Sequence, residues 1–180
     1  MNDVSAIAEF KRLAAERAVD FVQSGMVLGL GTGTTNRYVV DIIGDRIQSG
    51  MLHRIVGVPT SERTAAHARA LGIPLTTLVE HPVLDLVIDG ADEVDPAFNL
   101  IKGLGGALLR EKIVEIAARR FVVVVDESKL VELLGSRGPL PVEVTQFAWE
   151  VHARWLESLR CRAELRREAN GTPYVTDNSN

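Results

Sequence analysis

Four short apolar runs that alternate with helical patterns constrain the fold of this chain more than any other feature. The apolar runs are Met26–Leu30, Arg54–Val58, Val83–Ile88 and Phe121–Val125. Apolar residues recur at helical spacing over the ranges 4–23, 35–49, 61–71 and 107–120. Continuous apolar runs are typical of parallel strands that are covered on both faces. The sequence therefore predicts an α/β fold, with a Rossmann-like parallel sheet and helices on both of its faces.

The sequence changes character after Lys129. A linker rich in Gly and Pro occupies Gly135–Pro141. It is followed by strand candidates and one helix pattern, at residues 142–144, 147–158, 162–166 and 173–176. We predict a Rossmann-like domain over residues 1–131, which would carry the active site, and a smaller α/β domain over residues 132–180. The last strand candidate almost reaches the final residue, so we expect the smaller domain to be incomplete at its C-terminal end.

Composition excludes several classes of protein. The 180 residues carry a net charge of −4 and a pI of about 5.6, which argues against a nucleic-acid surface. Cys161 is the single cysteine, so the chain has no internal disulfide and no metal site built from several cysteines. No run approaches the length of a membrane span, and the N-terminal segment lacks the apolar core of a signal peptide. We expect a cytoplasmic protein without nucleic-acid or membrane partners.

A glycine- and threonine-rich loop follows the first strand. The sequence GLGTGTT, Gly29–Thr35, leads from that strand into the second helix. Backbone N–H groups at a helix N-terminus can hold a phosphate, and the hydroxyls of Thr32, Thr34 and Thr35 would add donors. The loop is neither a P-loop nor the dinucleotide fingerprint, whose third glycine would fall at Thr34. We expect a phosphate site here without a nucleotide cofactor; the alternative is a tight turn without a ligand.

Acidic residues follow the third strand, where ligands of parallel α/β sheets bind. Asp89 and Asp92 come directly after the run Val83–Ile88. Burying a carboxylate near such a strand costs free energy unless it has a charged partner or a functional role. Lys102 is a candidate partner. The alternative is that both acids only cap the following turn. The segment from Asp89 to Lys112 is therefore the first place in which to expect an active site.

The motif KGLGG, beginning at Lys102, precedes the fourth helix pattern. A lysine and several backbone N–H groups on one loop would suit an anionic centre such as an oxyanion. Glu111 lies in the first turns of the helix and could face the loop, as proton abstraction beside a carbonyl requires. From spacing alone, a solvated helix face is the favoured explanation of Arg110, Glu111 and Lys112. Lys129, after the strand Phe121–Val125, could bind a phosphate as a point charge.

Taken together, the motifs resemble those of the ribose-5-phosphate isomerase type A family. The matching segments are GLGTGTT, TSERT, LGIPL, IDGADEVD, KGLGGALLREK, VVDESK, PLPVEV and VTDNSN. They stand in family order with family-like spacing over nearly the whole chain. The resemblance implies an aldose–ketose isomerase that interconverts D-ribose 5-phosphate and D-ribulose 5-phosphate, with no metal and no other cofactor. It also implies a ferredoxin-like second domain and a homodimer or homotetramer.

The resemblance also implies roles for individual residues. Glu111 would be the general base that moves a proton between C1 and C2 through an enediolate. Lys102 and the N–H groups of the following loop would stabilise the oxyanion. Asp89 would take part in ring opening, and Asp92 would bind substrate hydroxyls. The implied substrate-binding residues are Thr32, Gly33, Thr34, Thr35, Gly103, Leu104, Gly105, Lys129 and Lys11.

Three other functions compete with the isomerase. A sugar-phosphate-sensing module of a transcription regulator would need a DNA-binding domain, whereas only one helix pattern precedes the first strand. An enzyme resembling a CoA-transferase would use a glutamate nucleophile and would need an acyl-CoA site, for which no adenine pocket is evident. A catalytically inactive relative that only binds is the third. The sequence favours the isomerase, with a small sugar phosphate as its partner.

Overall fold

A computed structural model describes residues 3–180, with side chains from Ala6 onward. The chain divides into two compact units, Met1–Pro141 and Val142–Asn180. The helices of the first unit are α1 (Asp3–Val19), α2 (Thr34–Gln48), α3 (Glu62–Ala70) and α4 (Leu108–Ile116). Its strands are β1 (Val27–Leu30), β2 (Val56–Pro59), β3 (Leu86–Asp89), β4 (Glu93–Val94), β5 (Leu100–Ile101) and β6 (Phe121–Val123). No helix of the described residues is both long enough and apolar enough to cross a membrane.

Four parallel strands form the main sheet, in the order β2-β1-β3-β6. Leu30 of β1 is in register with Ile88 of β3, and Asp89 at the end of β3 is in register with Val123. After β1 the chain builds β2 on one side, and it then crosses to build β3 on the other side. The carboxyl ends of β1 and β3 are therefore a topological switch point, where open parallel sheets bind their ligands.

The apolar strands are covered on both faces, as their composition predicts. Successive side chains of a strand point to opposite faces of a sheet. Leu86 and Ile88 pack into the larger core with α1 and α2, while Val87 packs into a smaller core with Val114 of α4. Glycine is needed at position 29 of β1, because a side chain there would overlap Val87 and Val114. The α/β fold with helices on both faces is thereby confirmed.

The predicted elements of the first unit agree with the structure to within a few residues, except at one place. β4 and β5 form a short antiparallel hairpin that the sequence reading did not contain. Its turn is held by Asp95, whose Oδ1 accepts the N–H groups of Ala97 (2.9 Å) and Asn99 (2.8 Å). The hairpin matters for function because it delivers the chain from β3 to Lys102.

The second unit contains one helix, α5 (Trp149–Ser158), close to the predicted range 147–158. The three strand candidates of this unit were wrong: within the described residues they form no strand, and the nearest pairing is an isolated bridge between Arg167 and Pro173. Instead, Glu143 Oε1 accepts hydrogen bonds from the side chains of Thr176, Asn178 and Asn180, near the end of the chain. The ferredoxin-like architecture and the boundary at residue 131 stay predictions.

Candidate active site

Polar side chains from four separate segments meet at the carboxyl edge of the sheet. The segments are the loop after β1, the end of β3, the loop between β5 and α4, and the turn after β6. Residues of these segments, together with Glu111 of α4, line one cleft. The predicted residues among them are Thr32, Gly33, Thr34, Thr35, Asp92, Lys102, Gly103, Gly105, Glu111 and Lys129. Ten of the thirteen residues that the sequence singled out therefore lie around one cavity. The other three, Asp89, Leu104 and Lys11, contact lining residues directly.

Asp89 is fully buried, and one of its two oxygens is surrounded by donors. Its Oδ1 accepts the N–H groups of Thr32 (3.1 Å) and Gly90 (2.7 Å) and the side-chain amide of Asn36 (2.5 Å). Gly31 makes room for this arrangement, since an added side chain there would lie 2.6 Å from the Asp89 Cα. With Oδ1 saturated, Oδ2 is the oxygen of Asp89 on which a proton can reside.

Burial raises the pKa of Asp89 to about 7. Loss of water is the largest cause, and the carboxylates of Glu111 and Glu115 raise this pKa further. The Lys102 ammonium and the Gly90 N–H oppose the rise. Asp89 can therefore hold or release a proton near neutral pH, as an acid that opens a sugar ring must do.

The Lys102 ammonium sits among three carboxylates. Its Nζ lies 3.4 Å from Asp89 Oδ2, 3.3 Å from Glu111 Oε2 and 3.2 Å from Glu115 Oε1, and it also donates to the Gly90 carbonyl. Burial alone would lower the pKa of Lys102, but the three carboxylates outweigh it and raise that pKa. Lys102 therefore carries a positive charge throughout the ordinary pH range.

The same three carboxylates have the spacing of a cation site. One oxygen each of Asp89, Glu111 and Glu115 lies within 4.8 Å of the others. The Lys102 ammonium is within ion-pair distance of all three, so it takes the place that a metal ion would need. The arrangement therefore suits the lysine ammonium better than a bound metal ion.

Glu111 lines the cleft from the first turn of α4 and is 5% exposed. Burial raises its pKa, as do the negative charges of Glu115 and Asp92, while Lys102 opposes them. A carboxylate with a raised pKa is a stronger base than one in water. Glu111 is thus the lining residue best suited to take a proton from carbon.

An acid holds the KGLGG loop, and a second acid holds the segment from Gly135 to Gly138. Asp92 Oδ2 accepts the Leu104 N–H at 2.9 Å, and Gly103 has a φ of +99°, which favours glycine. Behind the loop, the buried Glu93 accepts three backbone N–H groups between Gly135 and Gly138. These N–H groups overcome the effect of burial and hold the pKa of Glu93 below its usual value. The loop beside Lys102 is therefore pre-shaped, which an oxyanion site requires.

The opposite end of the cleft is suited to an anion. The N-cap of α2 is Gly33, which has no side chain to occupy the N–H groups of the first turn. Lys11 of α1 donates to the Thr34 hydroxyl at 3.0 Å, and Lys129 lines the cleft from a 3₁₀ turn, Glu127–Lys129. A helix N-terminus with two lysines nearby is a typical phosphate site.

Thr32, predicted as a phosphate ligand, binds several groups within the protein. Its hydroxyl lies 2.8 Å from the hydroxyls of Thr60 and Ser61 and 3.1 Å from that of Thr64, and its N–H donates to Asp89. Both donors are engaged within the protein. Thr32 lines the cleft, but it shapes the loop by tying β1 to the start of α3.

Sequence reasoning missed three residues of this region: Asn36, Arg63 and Glu115. Asn36 and Arg63 line the cleft, and Asn36 also donates to the Thr32 carbonyl at 3.0 Å. Glu115 follows Glu111 by four residues, which places both on one face of a helix. That spacing was visible in the sequence and could have identified Glu115, whereas no local signal distinguishes Asn36 or Arg63.

Comparison with known proteins identifies the relatives of this chain. The family model described as ribose 5-phosphate isomerase A (phosphoriboisomerase A) matches residues 56–180. Ribose-5-phosphate isomerase A of Roseiflexus castenholzii is 56% identical over 171 residues, covering 95% of this chain and 73% of the relative. Probable ribose-5-phosphate isomerase 2 of Arabidopsis thaliana is 55% identical over 177 residues, covering 96% of this chain and 67% of the relative.

A solved structure is also closely similar. A D-ribose-5-phosphate isomerase in complex with phospho-erythronic acid superimposes with a TM-score of 0.93 at 43% sequence identity. The alignment covers 99% of this chain and 77% of that one. This chain therefore spans between about two thirds and three quarters of the length of the relatives named here.

Proposed function

We propose that this chain, which belongs to the ribose 5-phosphate isomerase A family, interconverts D-ribose 5-phosphate and D-ribulose 5-phosphate with Glu111 as the base. The observation that carries the assignment is the ion pair of the buried Glu111 with the partly buried Lys102, 3.3 Å apart. A base beside a fixed cation, in a cleft with an anion site at its far end, suits a phosphorylated sugar. The reaction would belong to the non-oxidative pentose phosphate pathway.

The first step in this proposal is opening of the furanose ring. Asp89, whose pKa is raised by burial to about 7, carries a proton on Oδ2 and delivers it to the ring oxygen. The bond between the ring oxygen and C1 breaks, and the C1 hydroxyl passes its proton to the Asp89 carboxylate that this leaves, which yields the open-chain aldehyde. Asp92, on the cleft wall, accepts hydrogen bonds from substrate hydroxyls.

The second step moves one proton between adjacent carbons. Glu111 removes the C2 proton, and the electron pair forms a C1–C2 double bond while negative charge collects on the oxygen at C1. Lys102 and backbone N–H groups of the loop that follows it stabilise that oxygen in the enediolate. Glu111 then returns the proton to C1 while the proton of the C2 hydroxyl passes to the oxygen at C1, and the ketose results.

The phosphate is assigned to the N-terminus of α2 and the two lysines. The N–H groups and hydroxyls of Gly33, Thr34 and Thr35 would surround it, with Lys129 and Lys11 supplying charge. Asp126 supports this electrostatic picture: its hydrogen bonds from Ser128, and then the charges of Lys11 and Lys129, hold its pKa below the usual value. A dimer or tetramer and a cytoplasmic location stay predictions.

The function is tested by following ribulose 5-phosphate formation from ribose 5-phosphate by the purified chain. We expect turnover that grows with enzyme concentration and saturates with substrate. Glucose 6-phosphate, which carries a six-carbon chain, serves as the control substrate and should react far more slowly. A folded protein that binds ribose 5-phosphate but forms no ketose would be the inactive relative that only binds, and it would refute the proposal.

Lys129→Ala is expected to weaken substrate binding more than it slows chemistry. A lost hydrogen bond to a charged group costs about 1.5–3 kcal/mol, so KM should rise between about tenfold and about a hundredfold while kcat changes little. Steady-state kinetics measure both constants. Lys112→Ala, an exposed lysine on α4, is the matched control and should leave KM unchanged. An unchanged KM in Lys129→Ala would remove this lysine from the phosphate site.

A further inference from the structure

Glu115 is a buried acid at the active site to which the proposed reaction gives no task. Its Oε1 lies 3.2 Å from the Lys102 ammonium, and its side chain is 9% exposed. It stands one helical turn after Glu111 on α4, and the two carboxylates contact the same cation. Glu111 lines the cleft, whereas Glu115 is not among the lining residues. Glu115 therefore touches Lys102, and the proposed reaction passes no proton through it.

The Lys102 ammonium has more acceptors than protons. Three protons face four acceptors: the Gly90 carbonyl and the carboxylates of Asp89, Glu111 and Glu115. In the proposed reaction Asp89 and Glu111 change their charge as they pass protons to and from the sugar. The proposed reaction passes no proton through Glu115, so its charge is the one that stays constant through the cycle.

We propose that Glu115 is a positioning residue that holds the Lys102 ammonium in place while Glu111 gains and loses its proton. The inference rests on the proposed function. When Glu111 takes the C2 proton it becomes neutral, and its attraction for Lys102 weakens. At that moment the enediolate needs the ammonium most. An ionised Glu115 keeps Lys102 both charged and oriented when Glu111 no longer does.

Glu115 also acts on the base itself. The charged groups around Glu111 include Lys102, Asp92, Glu115 and Asp89, and those around Asp89 include Lys102, Glu111 and Glu115. A negative neighbour stabilises the protonated form of a carboxyl group, so Glu115 raises the pKa of both Glu111 and Asp89. Removing its charge should lower both pKa values and displace the pH profile of the reaction toward acid.

The test is the pH dependence of kcat/KM for Glu115→Gln, which removes the charge and keeps the shape. We expect kcat to fall about tenfold, since the oxyanion donor stays but is held less firmly. We expect the acid limb of the profile to move down by about one pH unit. Glu132→Gln, an exposed acid outside the site, is the charge-matched control and should leave the profile unchanged.

A second variant separates charge from packing. Glu115→Asp keeps the charge and shortens the side chain, so its acid limb should stay at the wild-type pH even where its rate falls. An acid limb that does not move in Glu115→Gln would overturn the inference, and so would an equal displacement in Glu115→Asp. A wild-type chain without isomerase activity would instead refute the proposed function, so the two failures are distinguishable.

Discussion

Glu111→Gln is expected to lower kcat by about a thousandfold or more while the protein still folds and binds substrate. General-base catalysis contributes between about a hundredfold and about ten thousandfold. The amide cannot accept the C2 proton, yet it keeps the size of the carboxylate. KM should change little, because the base meets the proton chiefly in the transition state.

The measurement is steady-state isomerisation by Glu111→Gln beside the wild type and Lys112→Gln. Lys112 is the next residue of α4 and is exposed, so its variant controls for a general disturbance of the helix. Lys112→Gln should retain nearly full activity. If Glu111→Gln kept more than about a tenth of the wild-type kcat, Glu111 would not be the base, and the assignment of the cleft would fail with it.

Lys102→Met is expected to lower kcat by about a hundredfold to a thousandfold, the usual cost of removing one oxyanion donor. Methionine fills similar space but brings no charge. The enediolate would then lose its cation and would have the loop N–H groups alone. The loss should be in kcat more than in KM, because the negative charge on the oxygen develops only during the reaction. Lys112→Met serves as the matched control.

The same substitution should make stability more sensitive to pH. In the wild type, the pKa of Asp89 is about 7 in the folded state and about 3.9 when unfolded, so the folded state binds the extra proton between these values. Stability therefore falls as pH rises through that window, by up to about 1.4 kcal/mol per pH unit for each such proton. Without Lys102 the folded pKa values of Asp89 and Glu111 rise further.

Chemical denaturation at several pH values tests this expectation. The free energy of unfolding of Lys102→Met should fall below that of the wild type by an amount that grows between pH 5 and pH 8. The sign follows because the ammonium stabilises only the ionised carboxylates, which dominate at the higher pH. A difference that is constant over this range would show that Lys102 does not neutralise the acids around it.

The sequence predicted the first unit well because its physical signals are local. β1 and β3 are almost wholly buried, so the strand positions follow from hydrophobicity. Parallel strands bring their carboxyl ends to one edge, and Asp89 and the loop from Gly29 to Thr35 had to meet there. Within the motif from Lys102 to Lys112, a helix that begins after the glycine-rich loop is enough to place Glu111 near Lys102. This part of the cleft therefore follows from the order of the strands and motifs along the chain.

Other features depend on contacts between distant residues and had no local signal. The pairing of β4 with β5 involves two residues from each strand, too few for a periodic pattern. Asn36 reads as an ordinary helix residue until the fold brings Asp89 to within 2.5 Å of its amide. The hydroxyl of Thr32 looked available for a phosphate, but Thr60 and Thr64 engage it. Polar side chains choose partners only after the chain has folded.

The second unit shows the limit of periodicity as a guide. Residues 162–166 and 173–176 alternate like strands, but a strand needs a neighbour to satisfy its backbone groups. In the structure only Arg167 and Pro173 pair, as an isolated bridge. The helix was predicted correctly because its hydrogen bonds are internal. Local pattern therefore identified α5 and overestimated the strands.

The most direct test of the account is the reaction run in D₂O in the presence of EDTA, with the products followed by NMR. The proposed mechanism predicts that ribose 5-phosphate is converted to ribulose 5-phosphate with deuterium entering at C1, at a rate that the chelator does not change. A folded chain that forms no ribulose 5-phosphate and leaves the C2 proton unexchanged would contradict the isomerase. Turnover that EDTA abolishes would contradict the role given to Lys102 in place of a metal.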